Sequence, residues 1–171
     1  AYAAWAKSNG IEPMQQEAFH INRVTDEFYG TIFSKVNVKV KPDEINLYET
    51  KEKNKYKVIY NLGEKEMDTL YDLEKLEGKD KYSVFLGGNN AVVDIKTENQ
   101  NGKKLLVIKD SFAHSFVPFT VNHYEEIIMI DFRYFNMNIS QYMEENDITD
   151  VLVLYNVINF AKDKNTGKFL K

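Results

Sequence analysis

Three short runs decide how this chain folds: KKLLVIKD at 103–110, EEIIMIDFR at 125–133 and DVLVLYN at 150–156. In each, Leu, Ile, Val and Met follow one another without the polar alternation of a half-exposed strand, so both faces of each strand must be covered. Between them lie SFAHSFVPFTVNHY at 111–124 and ISQYMEEND at 139–147, which carry helical patterning. The order β-α-β-α-β predicts an α/β fold with three layers, α/β/α, around a mostly parallel central sheet. AVVDIKT at 91–97 adds a further strand whose direction the sequence leaves open, joined to the next by the turn-forming ENQNG at 98–102.

Upstream, KYKVIYNL at 55–62 alternates as a strand, and MDTLYDLEKLEG at 67–78 spaces Leu70, Leu73 and Leu76 for a short amphipathic helix stopped by Gly78. DKYSVFLGGNN at 80–90 reads as another short helix ending at Gly87 and Gly88. FHINRVTDEFYGTIFSKVNVKV at 19–40 predicts a strand, a tight turn near Gly30 and further extended chain. AYAAWAKSNG at 1–10 has the pattern of the last two turns of a helix capped at Gly10, and KDKNTGKFLK at 162–171 that of a loosely ordered, solvated tail. The expectation is one domain over residues 1–171, cut into at its N-terminal side.

A length of 171 residues with 43% apolar and 28% charged side chains supports one core, and 11 Tyr, 11 Phe and one Trp are too many for a disordered chain. The net charge of −4 offers no basic field for nucleic acid or anionic lipid, and no apolar run is long enough to span a membrane. Without cysteine there is no disulfide framework, Cys-ligated zinc or thiol nucleophile. No histidine or carboxylate spacing points to a metal, and LGGNN at 86–90 matches no nucleotide-binding loop and reads as a turn, so no cofactor is expected.

In an open parallel sheet, ligands gather beyond the carboxyl ends of the strands. There the sequence places Lys109, Asp110 and Ser111, then Asp131, Phe132 and Arg133, then Tyr155, Asn156 and Asn159. Ser111 ends a strand and opens a helix, where its hydroxyl would sit beside unpaired N–H groups; it is a candidate nucleophile, or else it or Asp110 simply caps the helix. Arg133 suits a carboxylate or an oxyanion, or an ion pair with Asp131; Asn156 suits an amide donor, or a turn. His114 lies one helical turn from Ser111, yet no third group orients it and it reads as a packing or surface residue; His20 and His123 have weaker claims as bases. Pro118 kinks or breaks its helix. The aromatic set Phe112, Phe116, Phe119, Tyr124, Phe132, Tyr134 and Phe135 lines a sugar cleft or, more commonly for such residues, a core.

The stretch from KLLVIKDSF to VLYNVINF, 104–160, resembles the C-terminal half of the DHHW protein family, and DEFYGTIFSKV at 26–36 resembles its FYGT segment. That family is similar to the SGNH hydrolase-like domains of bacterial alginate O-acetyltransferases, which use a Ser-His-Asp triad on an α/β/α fold with the Asp-x-His pair ahead of the serine. The resemblance places the family's serine on Ser111, its D-x-R segment on Asp131 and Arg133, and its Y-N segment on Tyr155 and Asn156. The Asp-His-His-Trp motif would precede a helix such as AYAAWAKSNG, so base and orienting acid are expected outside this sequence.

What the resemblance implies is a serine acyl-ester hydrolase or O-acetyltransferase. Ser111 would be the catalytic nucleophile, with Arg133 and Asn156 holding the oxyanion or substrate and Asp110, Asp131 and Tyr155 in support. An acylated cell-envelope glycan or another acyl ester would be the substrate, the location extracytoplasmic on a bacterial surface, and these residues alone inert or nearly so. The alternatives are a non-catalytic glycan-binding or scaffold module of the same fold, and a small-anion site at the Ser111 turn.

Overall fold

Because Leu105, Leu106, Val107 and Ile108 are all fully buried, the strand they form can only sit inside a sheet covered on both faces. In a computed structural model, which describes residues 1–30, 33, 39–52 and 54–170, this is what the chain builds. The elements are α1 (Tyr2–Ser8), β1 (Phe19–Phe28), β2 (Asp43–Thr50), β3 (Lys57–Tyr60), β4 (Lys65–Met67), β5 (Val92–Lys96), β6 (Lys104–Lys109), β7 (Glu126–Ile130), α2 (Ile139–Glu145), β8 (Asp150–Leu154) and α3 (Val157–Lys162). Six strands form one sheet in the order β4-β3-β5-β7-β6-β8, and β1 pairs with β2 in a separate antiparallel ribbon.

The expected three-layer α/β/α architecture with a mostly parallel sheet is wrong. Among the described residues only β6/β7 and β6/β8 pair in parallel; β3/β4, β3/β5 and β5/β7 are antiparallel, so the sheet is mixed. The doubly apolar runs identified the parallel trio β7-β6-β8 and carried no information about the strands beside it; for β8 the expected cover on both faces is wrong, because it is an edge strand whose Val151 and Val153 are exposed. The direction of β5, left open by the sequence, is antiparallel to both neighbours.

Helix content is also lower than the patterning implied. The segment after β6 forms two single 3-10 turns, Ser111–Ala113 and Val117–Phe119. Pro118 lacks the N–H that an α-helix would bond to the carbonyl of residue 114, which breaks the helix there. Likewise 67–78 yields only the 3-10 helix Leu73–Glu77: Leu70 is buried ahead of it and Leu73 is exposed. β2 was not anticipated, although Ile45 and Leu47 alternate into the core directly after Pro42. The extended chain expected after Gly30 falls largely on residues 31, 32 and 34–38, outside the described residues.

Leu105, Val107, Ile127 and Met129 face Ala113, Val117, Val121 and Tyr124 of the β6–β7 connection. Leu106, Ile108, Ile128 and Ile130 face Phe132, Phe135 and the α2 residues Ile139 and Tyr142. Outside the first layer lies α1. Its C-terminus is a Schellman cap: Ile11 N–H donates to Ala6 O at 2.9 Å and Gly10 N–H to Lys7 O at 3.2 Å, with Gly10 at φ +67°. Trp5 packs edge-on to Phe116, and Tyr2 stacks on Phe119 and meets His123 Nε2 at 2.6 Å. At the other end, Lys164–Leu170 forms a 3-10 helix, and Lys168 Nζ donates to the carbonyls of Phe132 and Phe135 at 2.6 Å each.

Asp94, mid-strand in β5, is the one carboxylate turned into a covered sheet face beside Val92 whose Oδ1 is buried with no partner among the described residues. Burial first, and the charge of Glu126 second, push its pKa up to about 7, against the pull of Lys96 at 3.7 Å. A carboxyl whose folded pKa is raised stabilises the fold while protonated, and that contribution is lost as pH rises through about 7. Stability should therefore fall between about pH 4, where the unfolded carboxyl loses its proton, and about pH 7, where the folded one does, and Asp94→Asn should remove on the order of 1 kcal/mol of that fall once solvent screening is allowed for. Urea melts of both proteins across the range check it.

Candidate functional site

The connection from β6 to β7 leaves toward one side of the sheet and covers one face, whereas α2, between β7 and β8, covers the other. The strand order β7-β6-β8 thus reverses direction at β6, the place where open α/β sheets hold their ligands beyond the carboxyl ends of the strands. Two buried polar clusters stand at this rim.

The first is centred on Asp110, which is 2% exposed. Its Oδ1 accepts from Phe112 N–H at 2.9 Å; its Oδ2 accepts from Asn156 N–H at 2.9 Å and Asn159 Nδ2 at 2.8 Å. Asp110 therefore caps the Ser111 turn and ties it to the start of α3. Asn156 in turn caps α3, its Oδ1 accepting from Ile158 N–H at 3.0 Å and Asn159 N–H at 3.4 Å. The capping alternative weighed for Asp110 is thus what its oxygens do, while Asn156, weighed as an amide donor or a turn-former, caps a helix.

The second cluster lies on the other face of β6. Lys109 and Asp131 are both 0% exposed, and the β6/β7 register that sets Ile108 opposite Ile130 carries the two to adjacent positions. Lys109 Nζ reaches His114 Nε2 at 2.8 Å and Asp131 Oδ2 at 3.4 Å. Arg133 forks onto Asp131, with Nε to Oδ1 at 2.9 Å and Nη2 to Oδ2 at 2.6 Å, and touches Asn89 Oδ1 at 3.4 Å. Its guanidinium also lies 5.3 Å from the centroid of the Tyr134 ring. Burial alone would raise the Asp131 carboxyl, but hydrogen bonds from Arg133 and the charges of Lys109 and Arg133 outweigh it and hold the pKa below the usual range. Burial also pulls Lys109 down, against the pull of Asp131. For His114, burial and then the Lys109 charge lower the pKa to about 3, so the ring is neutral.

Ser111 opens its 3-10 turn half-buried, and among the described residues its hydroxyl has no hydrogen-bond partner. Its turn is held from below by Asp110 and from the side by His114. None of the three histidines is placed to serve it as a base: His114 is engaged by Lys109, His123 by Tyr2, and His20 lies on β1, paired in register with Glu49 of the ribbon. Tyr155 Oη is buried without a partner among the described residues, and burial together with the charges of Asp163, Asp131 and Asp110 pushes the phenol well up.

Of the aromatic set, Phe132, Phe135 and Tyr124 are core, Phe116 and Phe119 are partly buried, and Phe112 and Tyr134 are exposed, one beside Ser111 and one beside Arg133. The LGGNN turn takes part through Asn89. Its Gly88, at φ +87°, leaves no room for a Cβ, which would lie 2.7 Å from Ser83 Oγ. Lys109, which the sequence places at the strand end without a role, is the centre of the second cluster. The signal was a charged side chain ending a run buried on both faces, which only internal partners can compensate.

Two concavities, of about 630 and 360 Å³, lie elsewhere: one is lined by Lys96, Asn99, Lys104 and Glu126, the other by Met14, Thr50, Asn54 and Asn122. Neither includes Ser111. Among the described residues no group of His, Asp or Glu is arranged to hold a metal ion, and no helix is long and apolar enough to cross a membrane.

The sequence profile of the DHHW protein family matches residues 1–130. The chain belongs to the DHHW family. The match includes Ser111 and stops before Asp131, so the D-x-R and Y-N segments lie beyond it. No curated protein sequence matches. Among solved structures, a DHHW family protein from Eubacterium siraeum aligns at 22% identity and a TM-score of 0.80 over 99% of this chain and 58% of its own. Bacillus cereus PatB1 aligns at 20% and 0.68 in a form with a sulfonyl adduct, over 90% of this chain and 51% of its own, and at 19% and 0.67 in a second structure, over 89% and 53%. At these identities the likeness is one of fold. This DHHW chain spans little more than half the length of the chains it matches.

Asp110→Ala should cost about 3 kcal/mol of unfolding free energy, because three donors lose a buried charged acceptor. Val58→Ala, in the remote core, serves as the comparison in the same urea titration; an Asp110→Ala loss below about 0.5 kcal/mol would contradict the latch.

Proposed function

We propose that this chain carries the nucleophile of an acyl-transferring enzyme, with Ser111 attacking the acyl carbon and Arg133 and Asn156 facing the oxyanion or the substrate. The observation that carries the reading is the address of Ser111: half-buried, its hydroxyl without a partner among the described residues, at the carboxyl end of β6, where the strand order reverses. The fold shared with PatB1, whose structure bears a sulfonyl adduct, supports it, since sulfonyl groups are captured by activated nucleophiles. Asn156 Oδ1 is occupied in capping, which leaves its Nδ2 as the available donor; Arg133 keeps N–H groups beyond those that Asp131 takes.

With all three histidines engaged elsewhere or remote, the base is assigned to residues outside these 171, as the Asp-x-His pair of the resemblance implies. Asp110, Asp131 and Tyr155 act through the loops that they position. An acylated cell-envelope glycan outside the cytoplasm is the substrate and setting this reading favours, with exposed Phe112 and Tyr134 suited to stack against sugar rings. The same two rings support the second reading, a glycan-binding module without catalysis.

The test is hydrolysis of p-nitrophenyl acetate by the whole natural polypeptide that contains these residues. Ser111→Ala should lower kcat/KM by about 1,000-fold or more, and the 171 residues alone should be nearly inert. Turnover unchanged by Ser111→Ala would remove the enzymatic reading in favour of the binding module.

A further inference from the structure

A lysine with no solvent exposure is costly, and a Leu or Met of similar length would fill the same space without the desolvation. Lys109 is such a residue, and its two partners lie on the loop that carries Ser111 and on the loop that follows β7. His114 closes the turn that Ser111 opens, its N–H donating to Ser111 O at 3.2 Å. Asp131 begins the loop after β7 and orients Arg133 through a two-point fork as well as a bond from the Arg133 backbone N–H at 3.1 Å. An ammonium has only hydrogens to offer, so at 2.8 Å from His114 Nε2 it donates, and the ring proton must sit on Nδ1. That nitrogen is buried without a partner among the described residues, so nothing but the Lys109 contact selects the tautomer.

We propose that Lys109 is a positioning residue that clamps the Ser111 turn to the Arg133 loop and so fixes the distance between nucleophile and guanidinium. This rests on the acyl-transfer reading for what the clamp serves, and on the buried geometry for the clamp itself. Lys109 does not touch substrate. It acts through His114 on one side and through Asp131 and Arg133 on the other, and both links run on the same face of the sheet, where Val107 and Met129 precede Lys109 and Asp131.

The experiment uses the whole natural polypeptide and two readouts. Long-range proton–nitrogen NMR should find the wild-type His114 ring as a single Nδ1–H tautomer and the Arg133 Nε–H slow to exchange. Lys109→Met should mix the tautomers and speed the Arg133 exchange. The second readout is the rate at which phenylmethylsulfonyl fluoride modifies Ser111, followed by mass spectrometry. Lys109→Met should slow it by the order of 10- to 100-fold, while the core variant Val58→Ala should leave it unchanged.

An Nε2–H tautomer in the wild type overturns the clamp, and so does a folded Lys109→Met that reacts at the wild-type rate. Should Lys109→Met not fold, His114→Leu cuts the same link from its other end and is judged by the same two rates. A wild type that holds the Nδ1–H tautomer and the slow Arg133 exchange, yet leaves Ser111 unmodified, supports the clamp and removes the acyl-transfer reading instead.

Discussion

β6 has no face to give to water. Leu105 to Ile108 are buried on both sides and hydrogen-bonded on both edges, by β7 and by β8. Everything around it follows from that constraint. The connection to β7 must cover one face, α2 must cover the other, and polar chemistry can emerge only where the strand ends. There Lys109 and Asp110 turn to opposite faces, each into its own set of internal partners, and Ser111 is the first residue of this run to reach solvent.

The two polar clusters solve one problem in different ways. Asp110 is satisfied by neutral donors, two backbone N–H groups and an Asn amide, and acts as a latch between loops. Asp131 is satisfied by two cations, one fully buried and one reaching the surface, which keeps it ionised and makes Arg133 rigid at one end and open at the other. Buried polar groups of this kind define a single arrangement more sharply than apolar packing does, because every alternative leaves a charge or a donor unpaired.

What the sequence made legible depended on how local the signal was. The runs at 104–109, 126–130 and 150–154, the Gly10 cap and the strand-end positions of Ser111, Asp131, Arg133 and Asn156 all rest on a few adjacent residues, and all appear where expected. The parallel sheet did not follow, because the direction of β3 and β5 is set by pairing between residues far apart in the chain, which no periodicity records. The helical patterning over 111–124 gives two 3-10 turns, with the break at Pro118 that the missing N–H dictates. β2 was hidden because its inward face, Asp43, Ile45, Leu47 and Glu49, begins and ends on a carboxylate, which leaves two apolar positions to mark the alternation. The role of Lys109 was legible only as a contradiction, a charge in a place built for hydrocarbon.

The proposed acceptor of the acyl group is the Ser111 hydroxyl oxygen. Rapid quenching of the whole polypeptide with p-nitrophenyl acetate, followed by tryptic mapping, reads this out, because cleavage after Lys109 and Arg133 isolates residues 110–133 with Ser111 and one other serine, Ser115. An acetyl group on that peptide, placed by fragmentation on Ser111, is the expected result. Acetyl on Ser115, or on no residue of the peptide while ester is still consumed, would contradict it.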